Sequence, residues 1–111
     1  MVFAMAAYEI EITDLAAEEL RDIRVFDRRR VVDAIRKQLT HQPTVTTRNR
    51  KRLDAAVPDF EHTLPIWELR VGEYRVFYDV DESSHSVYVR AIRRKKPDQA
   101  TEDIIHERDD T

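Results

Sequence analysis

Hydrophobic and polar positions alternate most cleanly between Ile66 and Val80, and the rest of the chain can be placed against that stretch. Trp67, Leu69 and Val71 alternate with Ile66, Glu68 and Arg70; after Gly72-Glu73, the residues Tyr74, Val76, Tyr78 and Val80 alternate with Arg75, Phe77 and Asp79. A period of two predicts strands. A two-residue loop that opens on glycine suits a type I′ or II′ turn and fixes the register. Val71 then opposes Tyr74, Arg70 opposes Arg75, Leu69 opposes Val76 and Trp67 opposes Tyr78. One face of this hairpin is aromatic and aliphatic, and the other carries Glu68, Arg70 and Arg75.

Upstream, Tyr8-Glu9-Ile10-Glu11-Ile12 alternates as a strand with one buried face. Thr13-Asp14 offers a helix N-cap, and Leu15, Ala16, Leu20 and Ile23 follow at helical spacing, with Glu18 and Glu19 where the macrodipole favours acids. A second helix is expected from Asp27 to Thr40, with Val31, Val32, Ile35 and Leu39 inward, and Pro43 stops it. Few residues separate the two, so they form an antiparallel helical hairpin over the Trp67/Leu69/Val76/Tyr78 face. From Gln42 to Pro65 no period is evident, and the basic run Arg48-Asn49-Arg50-Lys51-Arg52 falls in what reads as a long loop. Ser86 to Ile92 is a further strand that delivers Arg93-Arg94-Lys95-Lys96 at its exit. Pro97 opens a short terminal helix in which Ala100, Ile104 and Ile105 dock, and the tail from His106 to Thr111 frays. The fold class is therefore α+β: an N-terminal strand, an antiparallel helical hairpin on one face of a small, mainly antiparallel sheet, and a short C-terminal helix. Residues 1–111 form one domain with its core over residues 8–105.

Charge changes this picture by its distribution rather than its sum. The formal net charge is −3, yet nine Arg or Lys stand between Arg28 and Asp54 against two acids, and Arg90 to Lys96 adds five basic residues with no acid. Asp98 to Thr111 holds six acids and one arginine. The absence of cysteine excludes disulfides, thiolate metal sites and a cysteine nucleophile, and favours a cytoplasmic setting. Met1 to Ala7 lacks a basic region and is too short for a signal peptide or a membrane span. His41, His62, His85 and His106 never reach metal-ligand spacing, and a single glycine excludes a phosphate-cradling loop. No metal or other cofactor is expected.

Arg70 and Arg75 face each other across the hairpin, and like charges so placed repel. An anion between them would reverse the sign, because arginine forks grip phosphate or carboxylate through paired hydrogen bonds. The other reading is neutralisation by Glu68, Asp79 or a neighbouring strand.

The run Trp67-Glu68-Leu69-Arg70-Val71-Gly72-Glu73-Tyr74-Arg75-Val76-Phe77-Tyr78-Asp79-Val80, followed by Val87-Tyr88-Val89-Arg90-Ala91-Ile92 and a basic cluster, resembles the RelE/ParE superfamily of bacterial type II toxin–antitoxin toxins. The order of elements over residues 8–105 is similar as well. The resemblance implies a cytoplasmic toxin and, in its RelE-like branch, a metal-independent endoribonuclease that cuts messenger RNA on the ribosome. There a ribose 2′-hydroxyl attacks the adjacent phosphate and basic side chains stabilise the developing charge. Carried over by position, Arg75 would stabilise the phosphate, Arg70 would support it, and Lys95 would give a proton or stabilise charge; Glu68, a carboxylate on the same face as Arg70 and Arg75, would serve as general base or as their salt-bridge partner. Arg50, Lys51, Arg52, Arg93 and Arg94 would dock on RNA. Glu68 and Ile66 stand where the best-studied RelE-like enzymes carry lysines, and Thr101 stands near the position of their C-terminal tyrosine. Two other readings thus remain open: a ParE-like, non-catalytic inhibitor of DNA gyrase, and a relative that keeps antitoxin binding alone. The implied partners are a cognate antitoxin lying across the Arg70/Arg75 face and the basic loop in a hetero-oligomer, together with the ribosome and mRNA; no membrane is implied.

Overall fold

Burial of the alternating apolar face organises the described residues into five strands and three helices. The computed structural model describes residues 7–106, so the expectations for residues 1–6 and for fraying of residues 107–111 lie outside the described residues. In chain order the elements are β1 (Glu9–Ile12), α1 (Asp14–Arg21), α2 (Val25–Leu39), β2 (Arg50–Leu53), β3 (Ile66–Val71), β4 (Tyr74–Asp81), β5 (Ser86–Arg94) and α3 (Thr101–Ile105). The sheet order is β1-β5-β4-β3-β2, with β1 parallel to β5 and the other pairings antiparallel. The α1–α2 hairpin carries the chain across one face from the β1 edge to the β2 edge, which is why the first and second strands end up farthest apart.

The β3–β4 register matches the alternation residue for residue, including Arg70 opposite Arg75. Gly72 has φ of +57° and Glu73 stays at negative φ, the signature of a type II′ turn. Thr13 caps α1, its hydroxyl accepting from the Ala16 amide. α2 starts at Val25, two residues before the expected Asp27, and Arg28 secures that start by donating to the carbonyls of Leu20, Arg21 and Ile23.

The main core lies between the helical hairpin and the sheet. Val31, Ile35 and Leu39 of α2 and Ala16 of α1 pack on Trp67, Leu69, Val76, Tyr78, Val87 and Val89. Trp67 and Tyr78 stack at 6.3 Å between ring centroids, and the Tyr78 hydroxyl donates to the Pro43 carbonyl at 2.6 Å, tying down the segment after α2.

The segment read as a continuous loop from Gln42 to Pro65 is corrected by β2. Arg50 to Leu53 pairs with Leu69 to Ile66 along the outer edge of β3, so the sheet has five strands rather than four. The second face of the sheet is corrected too, for it carries a smaller core of its own. Ile104 and Ile105 of α3 and Phe60 cover Ile66, Phe77 and Ala91. α3 begins at Thr101 rather than at Pro97, with the Ala100 amide donating to the Asp103 carboxylate at 2.8 Å. A β-bulge between Phe77 and Tyr78 leaves Arg90 as the extra residue of β5. It turns Arg90 onto the fully buried Asp79, which Arg90 Nε meets at 2.7 Å and the Thr63 amide meets at 2.9 Å.

Candidate functional site

Three consecutive strands place an arginine at one register level on the second face: Arg70 of β3 opposes Arg75 of β4, which opposes Arg93 of β5. The three are held in different ways. Arg93 is buried, with Nε 2.9 Å from Glu19 Oε2, Nη1 3.2 Å from Asp59 Oδ1, and a further hydrogen bond to the Ile104 carbonyl at 2.8 Å. Its guanidinium also lies 5.3 Å from the Phe60 ring centroid. Arg75 is 7% exposed; its Nη1 donates to the carbonyls of Gly72 and Tyr74 at 2.8 and 2.9 Å, while its Nε is buried without a partner. Burial lowers the Arg75 pKa, Arg70 adds to that lowering, and Glu68 opposes it. Arg70 is exposed, and no acidic side chain among the described residues pairs with it.

Glu68 lies on the same face and is 2% exposed. It accepts a hydrogen bond from Thr101 Oγ1 at 2.9 Å, and Lys51, its cross-strand neighbour on β2, approaches Oε1 to 3.9 Å. Lys51, Glu68, Arg70 and Arg75 are thus brought together, with the start of α3 over the carboxylate. Among the described residues, no group of three His, Asp or Glu side chains gathers where a metal ion could be held.

The other residues expected on RNA are spread over separate surfaces. Arg50 is buried on the helix face, where its Nη1 donates to the Gln38 carbonyl, because β2 turns alternate side chains to opposite faces. With its guanidinium inside the fold, Arg50 presents no free cation to a phosphate backbone, and Arg93, held by two carboxylates, presents none either. Arg52 is exposed beside Asp54 at 2.6 Å, and Arg94 is exposed and hydrogen-bonded to Glu73. Lys95 is half-buried, its amide donating to the Glu73 carbonyl at 2.6 Å near the hairpin turn.

Sequence patterns gave no sign of Glu19 as a member of this neighbourhood, and they marked Thr101 only as the position near the family's C-terminal tyrosine. Glu19 takes the Ile92 amide at 3.0 Å as well as Arg93, so α1 caps the edge of β5 beyond the end of β1. Burial raises the Glu19 pKa, while the Ile92 amide and Arg93 pull it back. The available chemistry is anion binding at the exposed Arg70, with the buried, partnerless Nε of Arg75 on the neighbouring strand. A carboxylate is near, but it already accepts from Thr101 and pairs with Lys51.

Comparison with known proteins places this geometry in a family. A family model described as ParE toxin of type II toxin–antitoxin system, parDE, matches residues 10–98. Among solved structures, the RelBE2 toxin–antitoxin complex from Mycobacterium tuberculosis is similar at 21% identity and a TM-score of 0.64, over 81% of this chain and 100% of that one. The archaeal RelE–RelB complex from Pyrococcus horikoshii OT3 gives 19% identity and a TM-score of 0.63, over 81% of this chain and 97% of that one. The intact RelBE complex from E. coli gives 20% identity and a TM-score of 0.50, over 81% and 99%. These structural likenesses concern the fold. No curated protein matches the chain.

Proposed function

The chain belongs to the family of ParE toxins of type II toxin–antitoxin systems, and from that premise we propose that it arrests growth by binding its target rather than by cutting RNA, with DNA gyrase as the target. The observation that carries this reading is the state of the would-be catalytic groups. Arg75 is 7% exposed and spends Nη1 on two carbonyls of its own hairpin, and Glu68 is 2% exposed beneath Thr101. A general base must lie within reach of the proton it removes. Glu68 instead sits under α3, and neither the lysines nor the C-terminal tyrosine that the RNA-cutting branch implies is present in its place.

One observation favours the second reading, a ribosome-dependent ribonuclease: Arg75 Nε is a buried donor with no partner, directly beside the exposed and unneutralised Arg70. A phosphate seated there would satisfy both.

An antitoxin partner is part of either reading, since the similar solved structures are themselves toxin–antitoxin complexes. The antitoxin would lie across the exposed cations Lys51, Arg52 and Arg70. No helix among the described residues is long and apolar enough to cross a membrane. Induction in a bacterium with pulses of labelled thymidine and methionine separates the readings. Early loss of thymidine incorporation, with inhibition of supercoiling by purified gyrase, is expected. Early loss of methionine incorporation with DNA synthesis intact would transfer the assignment to the ribonuclease.

A further inference from the structure

On the opposite side of the sheet from the arginine face, the tip of the helical hairpin exposes two large apolar side chains: Phe26 is 74% exposed and Val25 57%. Neither joins the two cores. Both stand in the first turn of α2, with Arg29 and Arg30 three and four residues after Phe26 and so on its helical face. Arg24, directly before them, has an 86% exposed side chain. The nearest acid, Asp27, is turned inward, where it accepts the Tyr74 hydroxyl at 3.1 Å and lies 3.5 and 3.6 Å from Arg24 and Arg30. Asp22 and Asp33 are exposed on either side of the tip, but Arg21, Arg24, Arg29 and Arg30 are exposed too and outnumber them, so its surface charge is positive. Arg28 holds the tip rigid through three carbonyls at the end of α1, so a partner would meet a preformed knob rather than a mobile loop.

Single apolar residues are ordinary on a protein surface, but an adjacent exposed Val-Phe pair on a rigid helical tip, in a stretch that also carries Arg24, Arg29 and Arg30, has the composition of an interface anchor. We propose that this tip docks an acidic amphipathic helix of a partner protein, its apolar stripe seated on Val25 and Phe26 and its carboxylates on Arg24, Arg29 and Arg30. The pairing of apolar contact with positive charge selects that occupant. A single nucleic-acid strand could engage the arginines and stack a base on Phe26, but it would leave aliphatic Val25 in water, with no surface on which a base could stack. An amphipathic helix rich in Asp and Glu complements both properties together. The surface is separate from the arginine face, so the inference does not depend on which target the toxin has.

The test uses the full chain and three fluorescent probes: a helical peptide with leucine at i, i+3, i+4 and i+7 and glutamate at most other positions, the same peptide with lysine for glutamate, and a single-stranded RNA. Saturable anisotropy binding of the glutamate peptide alone is expected. Phe26→Ala should weaken it about tenfold or more, and Leu64→Ala, at a residue that is also 74% exposed, should not change it. Circular dichroism and the melting temperature check that Phe26→Ala, an exposed position, keeps the fold. Equal binding of the lysine peptide, indifference to Phe26→Ala, or no saturable binding would each overturn the proposal. RNA binding that is lost in Arg29→Gln/Arg30→Gln but kept in Phe26→Ala would overturn it too, making the tip a nucleic-acid contact.

Discussion

At the scale of single residues, Arg75 and Arg93 show how one register level can hold cations for different reasons. Arg93 is held by two carboxylates and a carbonyl, whereas Arg75 donates to two carbonyls of its own hairpin and is opposed by Arg70. If Arg75 serves the turn, Arg75→Ala should lower stability by about 1–3 kcal/mol, the usual range for losing buried hydrogen-bond partners, and leave growth arrest in place. Chemical denaturation and plating at matched expression check both parts. A folded Arg75→Ala protein that no longer arrests growth would return the weight to phosphoryl chemistry. Glu19 provides a second, pH-dependent check. Burial raises its pKa above 4.5, so the folded chain holds this proton more tightly than the unfolded chain does. Unfolding then releases protons just above that value, and the Glu19 contribution to stability falls as pH rises through it. The stability of the wild type minus that of Glu19→Gln should therefore become less favourable as pH increases from 4.5. A difference that grows with pH would mean that the Arg93 ion pair outweighs burial.

At the scale of elements, what alternation could reveal and what it could not divides along clear physical lines. The β3–β4 hairpin was legible because its face pattern and its two-residue turn are both local, and they agree on one register. Gly72→Ala tests that locality: at φ +57° it should cost about 1 kcal/mol or more in a denaturation experiment. The added Cβ would also come within 2.7 Å of Arg30 Nη2, but that is the free end of a flexible side chain and can move away. β2 was not legible because Arg50 to Leu53 contains one apolar residue; it is a strand only because the outer edge of β3 offers partners. The same holds for the candidate site. That Glu68, Arg70 and Arg75 are neighbours follows from the register, whereas the burial of Glu68 and Arg75 depends on segments distant in the chain, among them α3, that no local pattern connects to the hairpin. α3 has only five residues and is held by what it covers. Ile104→Ala should therefore destabilise the protein by about 2–5 kcal/mol, the range for truncating a buried aliphatic side chain, read as a shift of the urea midpoint. A shift within error would mean that α3 contributes little to sealing the second face.

At the scale of the whole molecule, a net charge of −3 hides a division between edges. The β1 edge exposes Glu9 and Glu11, while the β2 edge exposes Lys51 and Arg52, with Arg70 beside them on β3. A toxin that acts by binding is silenced by covering the surface it uses, and the exposed cations at the β2 edge are where an acidic antitoxin segment gains most from charge complementarity. Attraction between exposed charges weakens as salt shortens the screening length from about 10 Å at 0.1 M ionic strength to about 3 Å at 1 M. The triple variant Lys51→Gln/Arg52→Gln/Arg70→Gln should keep its fold, since all three side chains are exposed. Of the ion pairs it removes, Arg52 with Asp54 at 2.6 Å joins two exposed groups and is of small worth, whereas Lys51 with Glu68 at 3.9 Å involves a buried carboxylate, which keeps its hydrogen bond from Thr101. Its affinity for the antitoxin should fall about tenfold or more at low salt, mainly through slower association, and approach that of the wild type as salt rises. Titration calorimetry and stopped-flow mixing over a salt series would show the two affinities converging. If wild type and variant bind alike at every salt concentration, the antitoxin does not lie on the β2 edge, and the exposed cations there serve solubility and the protection of an open strand from unwanted pairing.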